Sequence, residues 1–147
     1  MASGAFWAFG SQFKIGDDGS TETFTKVAEI IDINGPGLSR DVIEVTSQDS
    51  TNGWKEFLPG LRDGGEINIT ANWDPDHATQ DGTTGILSKF NDDELHNWQI
   101  ITPSGAGVDI DFAAFVTAMN LSFPVAEKGI LECTLKISGA VTVSPST

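Results

Sequence analysis

The strictest pattern in this sequence is an alternation of apolar and polar residues from Glu66 to Trp73. Ile67, Ile69 and Ala71 fall on the same side as Trp73, and a polar residue stands at every position between them. Side chains point alternately to the two faces of a β-strand. The pattern therefore predicts a strand of an antiparallel sheet that buries one face in the core and leaves the other face polar.

The last long segment of the chain repeats this design. Its apolar residues share one face of the predicted strands: Leu131, Cys133, Leu135, Ile137, Val141 and Val143. Polar residues alternate with them as far as Ser138. Gly139 interrupts the run, so a bend or a bulge is expected there.

The apolar positions change parity between Val108 and Phe123, being even-numbered as far as Phe112 and odd-numbered from Met119. A slip of one residue turns every following side chain to the other face of a strand. The change therefore predicts a bulge, or a change of sheet, near Phe115.

Shorter signals complete the predicted fold. Strands are expected over residues 24–33, 42–46 and 95–102, and one short helix is expected around Ile86, Leu87 and Phe90, with Thr83 or Thr84 as its N-cap. About six or seven strands with one helix predict a mainly β fold, an antiparallel β-sandwich or barrel whose helix covers an end or an edge.

Length and composition favour one domain over residues 1–147, since a chain of this size can bury roughly two thirds of its unfolded surface. A single cysteine gives no internal disulfide, which favours a reducing cytoplasm. The chain has no basic, apolar leader and no run of about 18 apolar residues, so a soluble protein without a membrane partner is expected. Its net charge of −13 repels nucleic-acid phosphates rather than gripping them.

Few residues suggest chemistry. Asp109 and Asp111 lie two apart on one strand face, which suits a small hydrolase or a metal, but strand alternation produces such pairs routinely. The acids around His77 fail the spacing of a calcium loop, and His77 and His96 are expected at the surface. Cys133 is expected to act as a small hydrophobe. The sequence therefore predicts no enzyme, no metal and no cofactor.

The four tryptophans, Trp7, Trp54, Trp73 and Trp98, support an alternative function as a carbohydrate-binding β-sandwich, because exposed indole rings stack on sugars. Trp73 shares its predicted face with Ile67 and Ile69 and is expected in the core. Trp7 and Trp54 are the remaining candidate contact residues.

The stretch before the alternating strand is predicted to be a stiff turn. Pro59 fixes its own φ, and Gly60, Gly64 and Gly65 can supply positive φ. A long excursion, residues 34–53, precedes it and holds one brief strand candidate.

This motif resembles the tail tube proteins, or major tail proteins, of lambda-type long-tailed bacteriophages. The residues that carry the resemblance precede an alternating strand that ends in Trp73 and Asp74: Phe57, Pro59, Gly60, Leu61, Asp63 and Gly65, with Gly64 between the last two. The order of elements is also similar, and the resemblance covers roughly residues 24–143.

The resemblance implies a structural virion protein of a siphovirus, with a β-sandwich fold shared with the tube proteins of type VI secretion. Its subunits would form hexameric rings that stack into the tail tube, the conduit for DNA ejection into the host. The implied partners are further copies, the tape measure, tail tip and terminator proteins, and DNA that passes through without specific binding. The chain would be assembled in the host cytoplasm and reside in the virion tail.

Under this resemblance, residues 34–53 are a candidate ring-stacking loop, and residues 1–23 form an N-terminal arm and the first strand. The candidate stacking residues are Asp41, Gln48, Asp49, Asn52 and Trp54. Asp109 and Asp111 are the candidate acids of the tube lumen.

Overall fold

The computed structural model describes residues 3, 5–17, 19–103 and 107–145, and within them the chain forms ten strands and one α-helix. The strands are β1 Gln12–Gly16, β2 Phe24–Lys26, β3 Ile30–Asn34, β4 Ser39–Glu44, β5 Phe57–Asp63, β6 Glu66–Asn72, β7 His96–Ile101, β8 Val108–Ser122, β9 Ile130–Ile137 and β10 Thr142–Pro145. Helix α1 spans Ile86–Phe90. The predicted fold class, mainly antiparallel β with one short helix, is confirmed.

Eight strands form one antiparallel sheet in the order β2-β1-β7-β8-β9-β6-β3, with β10 paired to the start of β8. The alternating strand is confirmed as β6, whose Ile67, Ile69 and Ala71 are buried. In β8 the pairing register with β9 shifts between Val116 and Ala118. The parity change near Phe115 is therefore a β-bulge.

The two edge strands of this sheet, β2 and β3, are joined by only three residues, Val27–Glu29. The N–H of Val27 donates to the carbonyl of Phe13 in β1 at 2.8 Å, and the N–H of Asn72 in β6 donates to the carbonyl of Glu29 at 2.9 Å. Four Cα-to-Cα steps span at most about 14 Å. The edges of the sheet must therefore approach each other, and the sheet curls into a barrel around its core.

The apolar residues of the strands fill the inside of the curled sheet. The largest fully buried side chains include Trp98, Phe13, Ile67, Ile69, Leu131 and Leu135. The Phe13 and Trp98 rings stack with centroids 5.4 Å apart, and the indole Nε1 of Trp98 donates to the carbonyl of Ala114 at 3.1 Å. The one polar atom of this large ring is thus satisfied within the core.

The buried side chain of Gln80 holds the short link between β2 and β3 in place by hydrogen bonds. Its side chain is 1 % exposed, its Nε2 donates to the carbonyls of Ala28 (2.8 Å) and Asn72 (3.0 Å), and its Oε1 accepts from the N–H of Asp74 at 2.9 Å. The hydroxyl oxygen of Thr79 accepts from the N–H of Ala28 at 3.0 Å. Both polar groups of the Ala28 peptide are therefore held by one loop.

Helix α1 starts differently from the prediction. Its N-cap is Gly85, which offers no side-chain cap, so the expectation of Thr83 or Thr84 is wrong. The Oδ1 of Asp81 instead accepts from the N–H groups of Thr84 (2.8 Å), Thr83 (3.0 Å) and Gly85 (3.1 Å). These donors favour the ionised carboxylate and lower the pKa of Asp81.

Replacement of Gln80 by leucine should destabilise the barrel. Gln80→Leu leaves two part-buried carbonyls and one part-buried N–H without their partner, which should lower the free energy of unfolding by about 2–4 kcal/mol. Urea unfolding of dilute protein measures the change. Gln48→Leu, at an exposed position, is the control and should change stability by less than about 0.5 kcal/mol. Equal effects of the two substitutions would contradict the role given to Gln80.

Candidate functional site

Strands β4 and β5 form a separate two-stranded sheet that projects from the barrel. All six residues of β4 and six of the seven residues of β5 are exposed. The exposed large apolar residues of this hairpin and its base are Leu38, Val42, Ile43, Val45, Trp54, Phe57, Leu58 and Leu61. An isolated hairpin is marginally stable in water, and apolar surface of this extent marks an interaction site.

The stretch Phe57–Asp63, which carries most of the family resemblance, is part of this hairpin, and its prediction as a turn is wrong. Residues Phe57–Asp63 are β5. Arg40 pairs with Arg62 but Val42 pairs with Pro59, so β5 has one residue more than β4 in this interval. The motif thus builds a β-bulge, which bends a strand and increases its twist.

The bulge requires glycine at position 60 because there is no space for a Cβ there. The requirement does not come from a positive φ. A Cβ on Gly60 would lie 2.9 Å from the Cβ of Asp41. Of the three glycines expected to supply positive φ, only Gly65 does so, at 74°. Gly64 is buried, and a Cβ there would lie 3.0 Å from the Cβ of Ile137. The expectation of positive φ is therefore wrong for Gly60 and Gly64.

The hairpin joins the barrel at Gly64 and Gly65. The Oδ1 of Asp63 accepts from the N–H of Gly65 at 2.8 Å and from the ammonium of Lys136 at 3.3 Å, and the N–H of Ile137 donates to the carbonyl of Gly65 at 3.0 Å. The Gly65 N–H first, and then Lys136, lower the pKa of Asp63. A Cβ on Gly65 would collide with the carbonyl oxygen of Gly37. The two strands of the hairpin therefore leave the barrel in close contact.

The tip of the hairpin is ordered by its own hydrogen bonds. The Oε2 of Glu56 accepts a hydrogen bond from the hydroxyl of Ser50 at 2.8 Å, and the N–H of Glu56 donates to the hydroxyl oxygen of Thr46 at 2.9 Å. A 3-10 turn, Thr51–Gly53, contains Asn52 at a φ of 56°. The long loop predicted over residues 34–53 therefore comprises the last residue of β3, a short link, the strand β4 and half of the hairpin tip.

The structure brings the candidate stacking residues together on this one projection. Asp41 lies in β4 opposite the bulge, Gln48, Asp49 and Asn52 lie at the tip, and Trp54 follows the tip with 72 % of its surface exposed. Their role in stacking remains a prediction.

The candidate lumen acids lie on another part of the molecule, at the start of β8. Asp109 pairs with Ile101 and Asp111 pairs with Gln99 across to β7. Both acids are half-buried, and the Oδ1 of Asp111 accepts from the Nε2 of Gln99 at 2.8 Å. No group of three or more His, Cys, Asp or Glu side chains in the described part of the chain is arranged to hold a metal ion.

One histidine and two of the four tryptophans are buried in the core or packed against it. His96 is 2 % exposed, with its Nε2 3.4 Å from the Oδ2 of Asp92, so the expectation of a surface histidine is wrong for His96. Trp98 is buried and Trp73 packs against the core, which leaves Trp7 and Trp54 exposed. A sugar platform would therefore have two of the four rings.

Cys133 lies in the core, as expected of a small hydrophobe. Its residue is 2 % exposed, and burial raises the pKa of the thiol to about 12 from its ordinary 9.0. The thiolate, which is the nucleophile, is thereby disfavoured.

The described part of the N-terminal arm carries a second exposed apolar group. Trp7, which is 81 % exposed, stacks on Phe9 with ring centroids 5.0 Å apart. Residues 8–12 line a cleft of about 610 Å³ beside β3. The predicted first strand is β1, and residues 1, 2, 4 and 18 of the predicted arm lie outside the described residues.

No helix in the described ranges is long and apolar enough to cross a lipid bilayer.

Comparison with known proteins gives a family and a fold. A family model described as lambda phage tail tube protein matches residues 7–144. A search of curated proteins found no match.

Three solved assemblies contain chains of similar fold. One, from the virion of a native gene transfer agent particle, is 19 % identical with a TM-score of 0.76, over 95 % of this chain and 99 % of the other. Another, from the tail of an empty gene transfer agent particle with C6 symmetry, is 21 % identical with a TM-score of 0.71, over 90 % and 94 %. A third, from the PVC sheath/tube terminator of an extracellular contractile injection system, is 18 % identical with a TM-score of 0.72, over 98 % and 99 %.

Substitution of Gly65 should weaken the junction between hairpin and barrel. Gly65→Ala places a side chain at positive φ and against the Gly37 carbonyl, so stability should fall by about 1–3 kcal/mol, measured by thermal unfolding. Gly53→Ala is the matched control, because Gly53 has a φ of 76° and open space around its Cβ position. Equal losses of stability in the two variants would show that the close contact between Gly65 and Gly37 does not add to the cost of the substitution.

The buried thiol should make stability depend on alkaline pH. The folded thiol stays protonated up to about pH 12, whereas the unfolded thiol ionises above about pH 9. Its contribution to stability is therefore complete below pH 9 and is lost as the pH rises from 9 to 12. Urea unfolding across this range measures the loss, and Cys133→Val should remove this component. An identical pH profile in the variant would contradict it.

Proposed function

This chain belongs to the lambda phage tail tube protein family, which is structural and not enzymatic, and we propose that it forms rings that stack into a tube through the exposed hairpin. The observation that carries the proposal is the hairpin itself: β4 and β5 pair with each other and expose apolar side chains on both faces. A partner that covers these faces would stabilise the hairpin and remove the apolar surface from water.

The partner that we propose is a second copy of the chain. The hairpin leaves the barrel at the start of β6, and a contact between it and a different surface of another copy is head-to-tail. Such a contact does not close on itself and generates an open polymer. This geometry supports a tube built from many stacked copies.

Rings require lateral contacts as well, and the barrel offers strand edges for them. In the described part of the chain β2, β3 and β10 each have one edge without a paired strand. Pairing of such edges between neighbours would complete their hydrogen bonds. The C6 symmetry of the similar gene transfer agent tail supports a ring of six.

The surface charge supports passage of DNA through the tube. A net charge of −13 per subunit repels phosphates, so DNA would slide without being held. We propose Asp109 and Asp111 as acids of the lumen, and the tape measure, tail tip and terminator proteins as partners. On this proposal the tube forms in the host cytoplasm, becomes part of the virion tail and serves DNA ejection in a siphovirus.

Removal of the hairpin should abolish stacking while the barrel still folds. Residues 39 and 63 are paired, so a linker of about four Gly and Ser residues can replace residues 39–63. We expect rings without tubes in electron micrographs of the concentrated variant, where the full chain forms tubes. Circular dichroism and urea unfolding check the barrel. Tubes of normal length from the shortened chain would refute the role of the hairpin.

A further inference from the structure

The turn between β8 and β9 carries an apolar group that lies outside the buried core. Phe123 is largely exposed and Val125 is fully exposed. The ring of Phe123 packs edge-on against Trp73 with centroids 5.4 Å apart, and the N–H of Trp73 donates to the carbonyl of Gly129 at 3.0 Å. We call Trp73, Phe123 and Val125 the turn patch. A ring contact and a backbone hydrogen bond thus hold this apolar surface in place.

The turn patch and the hairpin are connected to opposite ends of β6. The turn joins β8 and β9 where Ser122 pairs with Ile130, and Ile130 also pairs with Asn72 at the end of β6. The hairpin precedes the start of β6, where Glu66 pairs with Lys136 near the end of β9. Strand β6 has seven residues, so these two positions are roughly 20 Å apart.

The base of the hairpin gives the same placement. It lines a cleft of about 510 Å³ together with residues 139–141, which follow the end of β9, whereas the turn precedes the start of β9. The hairpin also continues the β3–β6 pair in one register, since Asn34 pairs with Asn68 and Ser39 pairs with Asp63. The hairpin therefore prolongs this pair beyond the start of β6, and the turn patch of the same chain lies at the other end.

The turn is locally neutral in an acidic chain. Residues 123–129 contain one acid and one base, Glu127 and Lys128, whereas the whole chain has a net charge of −13. A second copy of an acidic chain is therefore repelled less at the turn than at acid-rich parts of the surface. An exposed apolar patch without local net charge is suited to receive the apolar hairpin of such a copy.

We infer that the turn patch receives the hairpin of the next copy. A contact between two turn patches would join copies only in closed pairs, whereas a hairpin docked on a turn patch leaves a free patch at one end of the stack and a free hairpin at the other. This contact can therefore repeat. It is driven by removal of apolar side chains of both surfaces from water. The inference rests on the proposed stacking function and adds to it the surface on which the hairpin docks.

Substitutions can block the two sides of the contact separately. Val125→Asp places a charge in the turn patch and leaves the hairpin intact. Phe57→Asp with Leu58→Asp places an acid on each face of the hairpin, since neighbouring strand residues point to opposite faces, and leaves the turn patch intact. Leu95→Asp is the control, because Leu95 is also exposed but lies outside both surfaces. Ring formation is followed by sedimentation, and tube formation by electron microscopy.

Val125→Asp should form rings but should need at least about tenfold more protein than wild type to form tubes, because stacking would bury an unpaired charge. The hairpin variant should behave in the same way. Rings of the two variants, mixed after assembly, should join in pairs but not in longer stacks, since one supplies only hairpins and the other only turn patches. Leu95→Asp should form tubes within about threefold of the wild-type concentration. The urea midpoint of Val125→Asp should equal that of wild type.

The outcomes separate the contact from the function on which it rests. A wild-type chain that forms no tubes would refute the proposed function and the contact with it. Normal tubes from both wild type and Val125→Asp would refute the role of the turn patch alone. Loss of rings in Val125→Asp, an equal loss of tubes in Leu95→Asp, or failure of the mixed variant rings to join in pairs would also overturn it.

Discussion

The crossing from β2 to β3 at Ala28 sets the shape of the whole molecule. Its three residues bring the two edges of a seven-strand path together, so the sheet has to curl. A peptide in this position has no strand neighbour on either side, and Thr79 and Gln80 supply its hydrogen bonds. A loop between β6 and β7 thus holds the place where the edges of the barrel meet.

The sequence predicted strands best where the core imposes alternation. Strand β6 and the first half of β8 bury one face each, so period and parity were sufficient there. After the bulge only Met119 of β8 packs against the core. The sequence predicted poorly where a polar residue is buried for its hydrogen bonds. Gln80 occupies such a position, and its partners are backbone groups that no local pattern identifies. His96 is also buried, beside Asp92. The burial of these two residues could be recognised only from the three-dimensional structure.

The candidate site was found in part. The sequence singles out the stretch around Pro59, but the fixed φ of Pro59 and the glycines beside it predict a turn. The strand opposite it, β4, shows no alternation that would reveal a strand pair. Both faces of the hairpin are exposed, so neither face needs to be apolar throughout, and the period-2 signal is lost. The bulge depends on the pairing of Arg40 with Arg62 across more than twenty residues, which sequence spacing does not give. The pairing of Arg40 with Arg62 could not be predicted from composition either, because only the fold places both arginines on one face.

A strongly acidic subunit that polymerises has to overcome its own repulsion at every new contact. Spreading its eight basic residues evenly would lower the repulsion everywhere by a little and specify nothing. Both arginines instead stand side by side at the exposed base of the hairpin, so their positive charge is concentrated at one point of the surface. On the proposed function, the rest of the surface can then remain acidic, which suits a channel for DNA. On the proposed function, an apolar stacking contact at the hairpin and an acidic tube wall are compatible in one chain, because β4 and β5 form a sheet separate from the barrel.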